Sequence, residues 1–234
     1  MTLAPPLAAW TALVPLRGGS RGLPGKNTRL LAGRALYRHA VDLALAAGAG
    51  KVVITTDIPE VLHAAHPPRV LALQRPADLC ADDAPMAPVL VHAIQAARIE
   101  GTVVLLQPTS PLRELQDVTA ALERYASGDF ELVMSVTPAD RGVLKWGRID
   151  NHRFVPFSQP QHVFSNRQAL PAVVKPNGAL YVFDAQAFVG RGGFPVQHIG
   201  ALEMPAQRSH DIDTLADFEL CERLLAEAGH KPSI

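Results

Sequence analysis

The sequence predicts one α/β domain, built on a mostly parallel sheet with helices on both faces. Three observations lead there. Short runs rich in Val, Ile and Leu alternate along the chain with longer segments of helical period. The runs are apolar throughout and do not alternate with polar residues, as expected for strands covered on both faces. The 234 residues, 48% of them hydrophobic, suffice for one full core, with a single excursion from it at about 139–176.

Taken in order, Leu7 to Pro15 is the first predicted strand. Arg34 to Ala47 follows as a helix, with Ala, Leu and Val at helical spacing and Gly48 as its stop. Lys51 to Thr56 is a buried strand, Pro59 to Ala65 a short helix and Arg69 to Leu73 a third strand. Ala84 to Arg98 is a helix, Thr102 to Gln107 the fourth strand, Glu114 to Ala126 a helix and Glu131 to Val136 another strand. From Pro138 to Pro176 the rhythm breaks. Prolines, aromatics and charges mix there, and Lys145–Ile149 can pair with Arg153–Phe157 as a hairpin turning at Asp150-Asn151. The sheet resumes at Ala179–Phe183, and Thr214–Ala228 closes the chain as an amphipathic helix.

Composition excludes several classes. With 22 basic and 22 acidic residues there is no general positive field for nucleic acid. The two cysteines, Cys80 and Cys221, lie far apart with no CxxC, which argues against a disulfide framework or a zinc site. No apolar run reaches membrane-spanning length, and no basic flank precedes an apolar N-terminal segment. The expectation is a soluble, cytoplasmic protein without a membrane partner.

Chemistry concentrates in the stretch VPLRGGSRGLPGKN, Val14–Asn27. It carries the cations Arg17, Arg21 and Lys26, the glycines Gly18, Gly19, Gly22 and Gly25, and the hydroxyl of Ser20. Glycines let a backbone approach an anion closely with its N–H groups turned inward, and the cations supply the charge a polyphosphate requires. A loop at a strand's carboxyl end is where open α/β sheets bind ligands. The stretch does not match the G-x-x-x-x-G-K-[ST] phosphate loop, because Ser20 replaces the first glycine and Asn27 the final hydroxyl. Gly18-Gly19-Ser20-Arg21-Gly22 does fit the G-x-S-x-G of a serine hydrolase, but that elbow needs a helix directly after the serine, and Leu23-Pro24-Gly25 prevents one.

Three further places carry polar groups at strand ends. Asp57 is either a polar group at the ligand-facing edge or the N-cap of the helix after it. In Gln107-Pro108-Thr109-Ser110-Pro111-Leu112-Arg113 the hydroxyls of Thr109 or Ser110 can cap the next helix, which leaves Gln107 and Arg113 unexplained. Asp211-Ile212-Asp213 would place two carboxylates on one side of a strand, a donor pair suited to magnesium, although Asp213 can also cap the last helix.

These motifs together resemble the acylneuraminate cytidylyltransferases, the CMP-sialic acid synthetases and their relatives acting on other nine-carbon keto-sugar acids. The glycine-rich loop, Arg75-Pro76-Ala77-Asp78-Leu79 with Asp82 beyond it, QPTSPLR, the pair Arg167-Gln168-Ala169-Leu170-Pro171 and Asn177-Gly178-Ala179-Leu180-Tyr181, and Asp211-Ile212-Asp213 appear in the family's order over roughly Leu13–Leu224. The resemblance implies the Rossmann-like nucleotide-diphospho-sugar transferase fold and transfer of CMP from CTP to a sialic-acid-like sugar acid. It implies nucleotide contacts from Arg17, Gly18, Gly19, Ser20, Arg21, Lys26, Asn27 and Arg75. Sugar-acid contacts would come from Gln107, Thr109, Ser110, Lys145, Arg167 and Tyr181, and Mg2+ would be held by Asp211 and Asp213, with Arg17, Lys26 and Gln107 acting in catalysis. It further implies a homodimer, in which the excursion reaches the neighbour's site. Met86 departs from the pattern: relatives usually carry Ser or Thr there, and a thioether donates no hydrogen bond. The alternatives are a CTP-binding relative without activity and an enzyme for an eight-carbon acid such as Kdo, whose family words the QPTSPLR turn differently.

Overall fold

The computed structural model describes residues 9–20, 22–81 and 83–229. The first strand, β1 (Thr11–Pro15), is shorter than the predicted Leu7–Pro15, whose first two residues lie outside the described ones. A two-residue hairpin, β2 (Leu30–Leu31) and β3 (Arg34–Ala35), takes what the periodicity assigned to the start of α1 (Leu36–Ala46). Its turn residues Ala32 and Gly33 have φ of 48° and 78°, the left-handed pair that a two-residue hairpin requires. Then come β4 (Lys51–Thr56), α2 (Pro59–Leu62), β5 (Val70–Gln74), α3 (Met86–Ala96), β6 (Thr102–Leu106), α4 (Leu115–Ala126) and β7 (Leu132–Ala139). The excursion carries β8 (Gly147–Asp150) and β9 (Arg153–Pro156), after which β10 (Val173–Asp184), α5 (Ala185–Arg191), β11 (Ile199–Glu203) and α6 (Leu215–Glu227) complete the order.

The main sheet has seven strands in the order β11-β7-β10-β6-β1-β4-β5. All neighbouring pairs are parallel except those of β10, which runs antiparallel to both β6 and β7. The exception has a plain cause: no crossover helix lies between β7 and β10, so the chain returns from the excursion in the opposite direction. Alternate residues of the inner strands enter opposite layers. Ala12, Val14, Val52 and Ile54 pack with Val41 and Ala44 of α1 and Val118 of α4, whereas Leu13, Val53 and Leu105 pack with Leu90 of α3 and Phe188 of α5. A third cluster joins Leu23 of the glycine-rich loop to Leu31, Leu112, Ile212 and the α6 residues Phe218, Cys221 and Leu225. That cluster ties three loops of the predicted site to one helix.

The hairpin in the excursion forms one residue later than expected: Asn151 and His152, with φ of 46° and 64°, make the turn. Exposed along the excursion are Trp146 (63%), Ile149 (81%), Phe157 (68%) and Phe164 (91%).

Candidate active site

The carboxyl ends of β1, β5 and β6 meet at a cleft of about 310 Å3, the position at which open α/β sheets bind ligands. Its walls carry Arg17, Ser20, Lys26, Asn27, Arg75, Gln107, Thr109 and Asp213, eight residues that the sequence singled out from four separate motifs. Met86, the first residue of α3, also faces it.

The glycine-rich loop is held from both sides. Gly18 N–H donates to Asp57 Oδ1 at 2.9 Å. Asp57 therefore anchors the loop, and the helix after it has Ile58 at its N-cap with no side-chain cap at all, so the capping alternative does not hold. Asp57 was legible as a polar strand end, but its partner Gly18 is 39 residues away and no local pattern links them. On the other side Lys26 is buried, and its ammonium donates to the carbonyl of Ile212 and lies 3.0 Å from Asp213 Oδ1. A Cβ on Gly22 would stand 2.3 Å from the carbonyl oxygen of Asp213, so only glycine permits this approach. Asn27 donates to the Arg17 carbonyl at 2.9 Å, while its own buried Oδ1 has no partner among the described residues. Arg21 lies outside the described residues. No α-helix follows Ser20, only a short 3-10 turn over Lys26–Thr28, so the nucleophile elbow does not form.

Arg75 is buried and donates to the carbonyls of Leu16 (3.1 Å) and Thr55 (3.0 Å), clamping the ends of β1 and β4. Burial holds its guanidinium below the usual arginine range, partly offset by Cys80 and Asp57. Arg113 is buried as well; its guanidinium donates to the Ala179 carbonyl, and desolvation brings it down to about 9 against the opposing pull of Asp117 and Asp211. Gln107 and Thr109 reach the cleft, but Ser110 is buried with its hydroxyl unpartnered. Neither hydroxyl caps α4, which is closed by a reciprocal box of Glu114 and Asp117.

Asp211 and Asp213 sit on a loop and not on the expected strand, yet Ile212 is fully buried between two exposed aspartates. The loop is pinned by Ile212 N–H to the Thr109 carbonyl at 2.8 Å. Asp213 does not cap α6, because Thr214 and Asp217 form that box between them. Although Asp211 is open to solvent on one side, the protein around its carboxyl desolvates it and raises it; the Thr109 hydroxyl opposes the rise and the charge of Asp213 adds to it. Such a mutually repelling pair suits a cation. Among the described residues no group of three or more His, Cys, Asp or Glu forms a closed metal cage. Magnesium needs none: it takes one or two carboxylates together with substrate phosphates and waters, so the donor set fits.

Of the predicted residues, Gly18, Gly19, Ser110, Asp211, Tyr181, Arg167 and Lys145 do not line the cleft wall of this chain. Tyr181 is half-buried on β10 and stacks on Phe194 at 5.2 Å, its hydroxyl raised by burial and by Asp211. Arg167 pairs with Asp140 at 3.0 Å beside a separate depression in the excursion. Lys145 ends the 3-10 turn Arg141–Lys145 before β8.

The sequence profile described as cytidylyltransferase matches residues 11–224. The N-acylneuraminate cytidylyltransferase of Escherichia coli O18:K1:H7 is 29% identical over 211 residues, which is 89% of this chain and 50% of that protein. This chain thus spans about half the length of the first curated relatives it matches. The CMP-N,N'-diacetyllegionaminic acid synthase of Legionella pneumophila is also 29% identical, over 92% of this chain and 95% of its own. The pseudaminic acid cytidylyltransferase of Campylobacter jejuni is 24% identical over 94% and 97%. Among solved structures, a CMP:2-keto-3-deoxy-manno-octonic acid synthetase complexed with CTP superposes with a TM-score of 0.72 at 18% identity, covering 94% of this chain and all of the other, so the two share a fold. With that profile matching residues 11–224, nearly the whole described chain, the chain belongs to the cytidylyltransferase family.

Proposed function

We propose that this chain transfers CMP from CTP to the anomeric hydroxyl of a sialic-acid-like nine-carbon keto-sugar acid. The observation that carries the reading is the meeting, in one cleft, of Arg17, the Lys26–Asp213 ion pair, Gln107 and the glycine-rich loop. The sugar hydroxyl oxygen forms a bond to the α-phosphorus and gives up its proton to solvent, the bond from that phosphorus to the oxygen bridging to the β-phosphate breaks, and pyrophosphate leaves with the electron pair. Little covalent work falls to the protein, so positioning and charge neutralisation dominate. Arg17, Lys26 and the N–H groups around Gly18, Gly19 and Ser20 bind the phosphates, with Asn27 and Arg75 holding the nucleotide end. Gln107 and Thr109 orient the sugar acid. Asp211 and Asp213 would hold Mg2+, which when bound supplies positive charge to the phosphates.

The site is completed by a second copy of the chain. The exposed Trp146, Ile149, Phe157 and Phe164 favour a two-fold interface through the excursion. Arg167 and Lys145, remote from their own cleft wall, would then grip the sugar carboxylate of the neighbour. A cytoplasmic setting beside the CTP pool agrees with two free cysteines and with the absence, among the described residues, of any helix long and apolar enough to cross a membrane.

One assay tests the reading: pyrophosphate release from CTP, UTP, ATP and GTP against sialic, legionaminic and pseudaminic acids and Kdo. CTP with one nine-carbon acid should give turnover. CTP is separated from UTP by ~1–3 kcal/mol through hydrogen bonding at the exocyclic amine. Equal use of UTP overturns the cytidylyl reading, preference for Kdo overturns the nine-carbon one, and CTP binding without turnover on any acid points to the inactive relative that Met86 in the cleft suggests.

A further inference from the structure

The motif Asn177-Gly178-Ala179-Leu180-Tyr181 holds more than its tyrosine. Pairing of β10 with β7 slips between Pro176 and Tyr181, and Gly178 inside the slip has φ of 75°. Bulges of this kind re-aim side chains, and here the re-aimed one is Asn177. Its Oδ1 accepts from Ser135 Oγ at 2.6 Å and from Ala179 N–H at 3.2 Å. A backbone N–H can only donate, so the atom facing it is the oxygen, and the amide nitrogen must face the other way. That nitrogen donates to Ser209 Oγ at 2.9 Å and lies 3.4 Å from Met204 Sδ. Ser209 passes its own proton to the Pro205 carbonyl at 2.9 Å. One amide thus ties β7 and β10 to the loop that leaves β11.

Ser209 stands two residues before Asp211. The loop is pinned beyond Asp211 by Ile212 N–H to the Thr109 carbonyl. Asp211 is therefore suspended between two anchors, and the bulge exists where the first anchor is needed. We propose that the Asn177–Ser209 hydrogen bond is a strut that positions Asp211 for the divalent cation, a role that rests on the magnesium reading above.

Ser209→Ala removes the acceptor and leaves the bulge and the Ser135 contacts in place. The probe is Mn2+, titrated by electron paramagnetic resonance against the full chain with a non-hydrolysable CTP analogue. Ser209→Ala should weaken Mn2+ binding about tenfold, the lower end for groups that orient metal ligands, with a melting temperature within about 4 °C of the parent. Ser209→Thr, which keeps the hydroxyl, should restore affinity. Asp211→Asn is the reference. If it weakens Mn2+ and Ser209→Ala does not, the strut is overturned while the magnesium reading stands, whether or not the melting temperature falls. If Asp211→Asn leaves Mn2+ affinity unchanged, the magnesium reading fails and the strut fails with it.

Discussion

Gly22 is where the two halves of the cleft touch. Its would-be Cβ meets backbone, which cannot swing aside as a side chain would. Gly22→Ala should therefore push the Asp213 segment away from the loop, costing ~1–3 kcal/mol of stability and weakening CTP binding. Thermal unfolding and a CTP titration check this, and parent values in both would contradict the packing described. Asp211 carries the second residue-scale prediction. Asp211→Asn keeps the shape and removes the charge, so turnover should fall at least ~100-fold with folding nearly unchanged. Full activity with normal magnesium dependence would sink the metal assignment. At this scale the sequence pointed to Arg17, Lys26, Gln107 and Asp213, because their residue types and strand-end positions carry the information. Arg75 is half a surprise: its guanidinium is committed to the carbonyls of Leu16 and Thr55, contacts that no local pattern encodes.

At the scale of the element, α6 does more than close the chain. Its inner face, with Cys221 fully buried, packs on Leu23, Leu31 and Ile212 and so supports both loops of the cleft. Burial pushes the Cys221 thiol up from 9.0 to about 11. The unfolded thiol ionises near pH 9 and the folded one resists until about 11. Stability from this group is whole below pH 9 and is lost as pH rises to 11, by up to ~2–3 kcal/mol. Chemical denaturation across pH 8 to 11 should show that loss, and Cys221→Ala should flatten it. An unchanged slope in the variant would assign the alkaline effect to other groups. The long helices were legible from their period. Besides the two-residue strands β2 and β3, the periodicity missed α5 and β11, seven and five residues long. α5 announces itself only by its ends, Asp184 accepting from Ala187 N–H and Gly192 in the left-handed region. β11 contains Gly200, whose place is set by the Phe130 ring lying against it.

At the scale of the molecule, the proposed two-fold interface makes demands on the excursion. Ile149→Asp, on the open face of β8, should produce a monomer by sedimentation and lower activity with it. Mixed dimers give the sharper result. Combining one chain carrying Arg167→Ala with another carrying Lys26→Ala puts both lesions in one site and leaves the second site whole, if Arg167 acts across the interface. About half of parental activity per mixed dimer should return, where each variant alone is nearly inactive. No recovery would place Arg167 in its own chain's site, and a parental monomer would end the two-fold reading.

What the sequence determined by itself is the alternation of strands and helices, the strand ends at which polar motifs cluster, and the family. Each of these is a local property: period, composition, and residue types at short spacing. Tertiary structure alone decided what required distant residues to meet. β10 runs antiparallel because the excursion offers no crossover helix. The glycine-rich loop is clamped by Asp57 on one side and by Lys26 and Gly22 against Ile212 and Asp213 on the other. Asp213 is left to pair with Lys26 because Thr214 and Asp217 cap the helix in its place. None of these contacts has a period or a spacing, since each depends on how the sheet brings its carboxyl ends together.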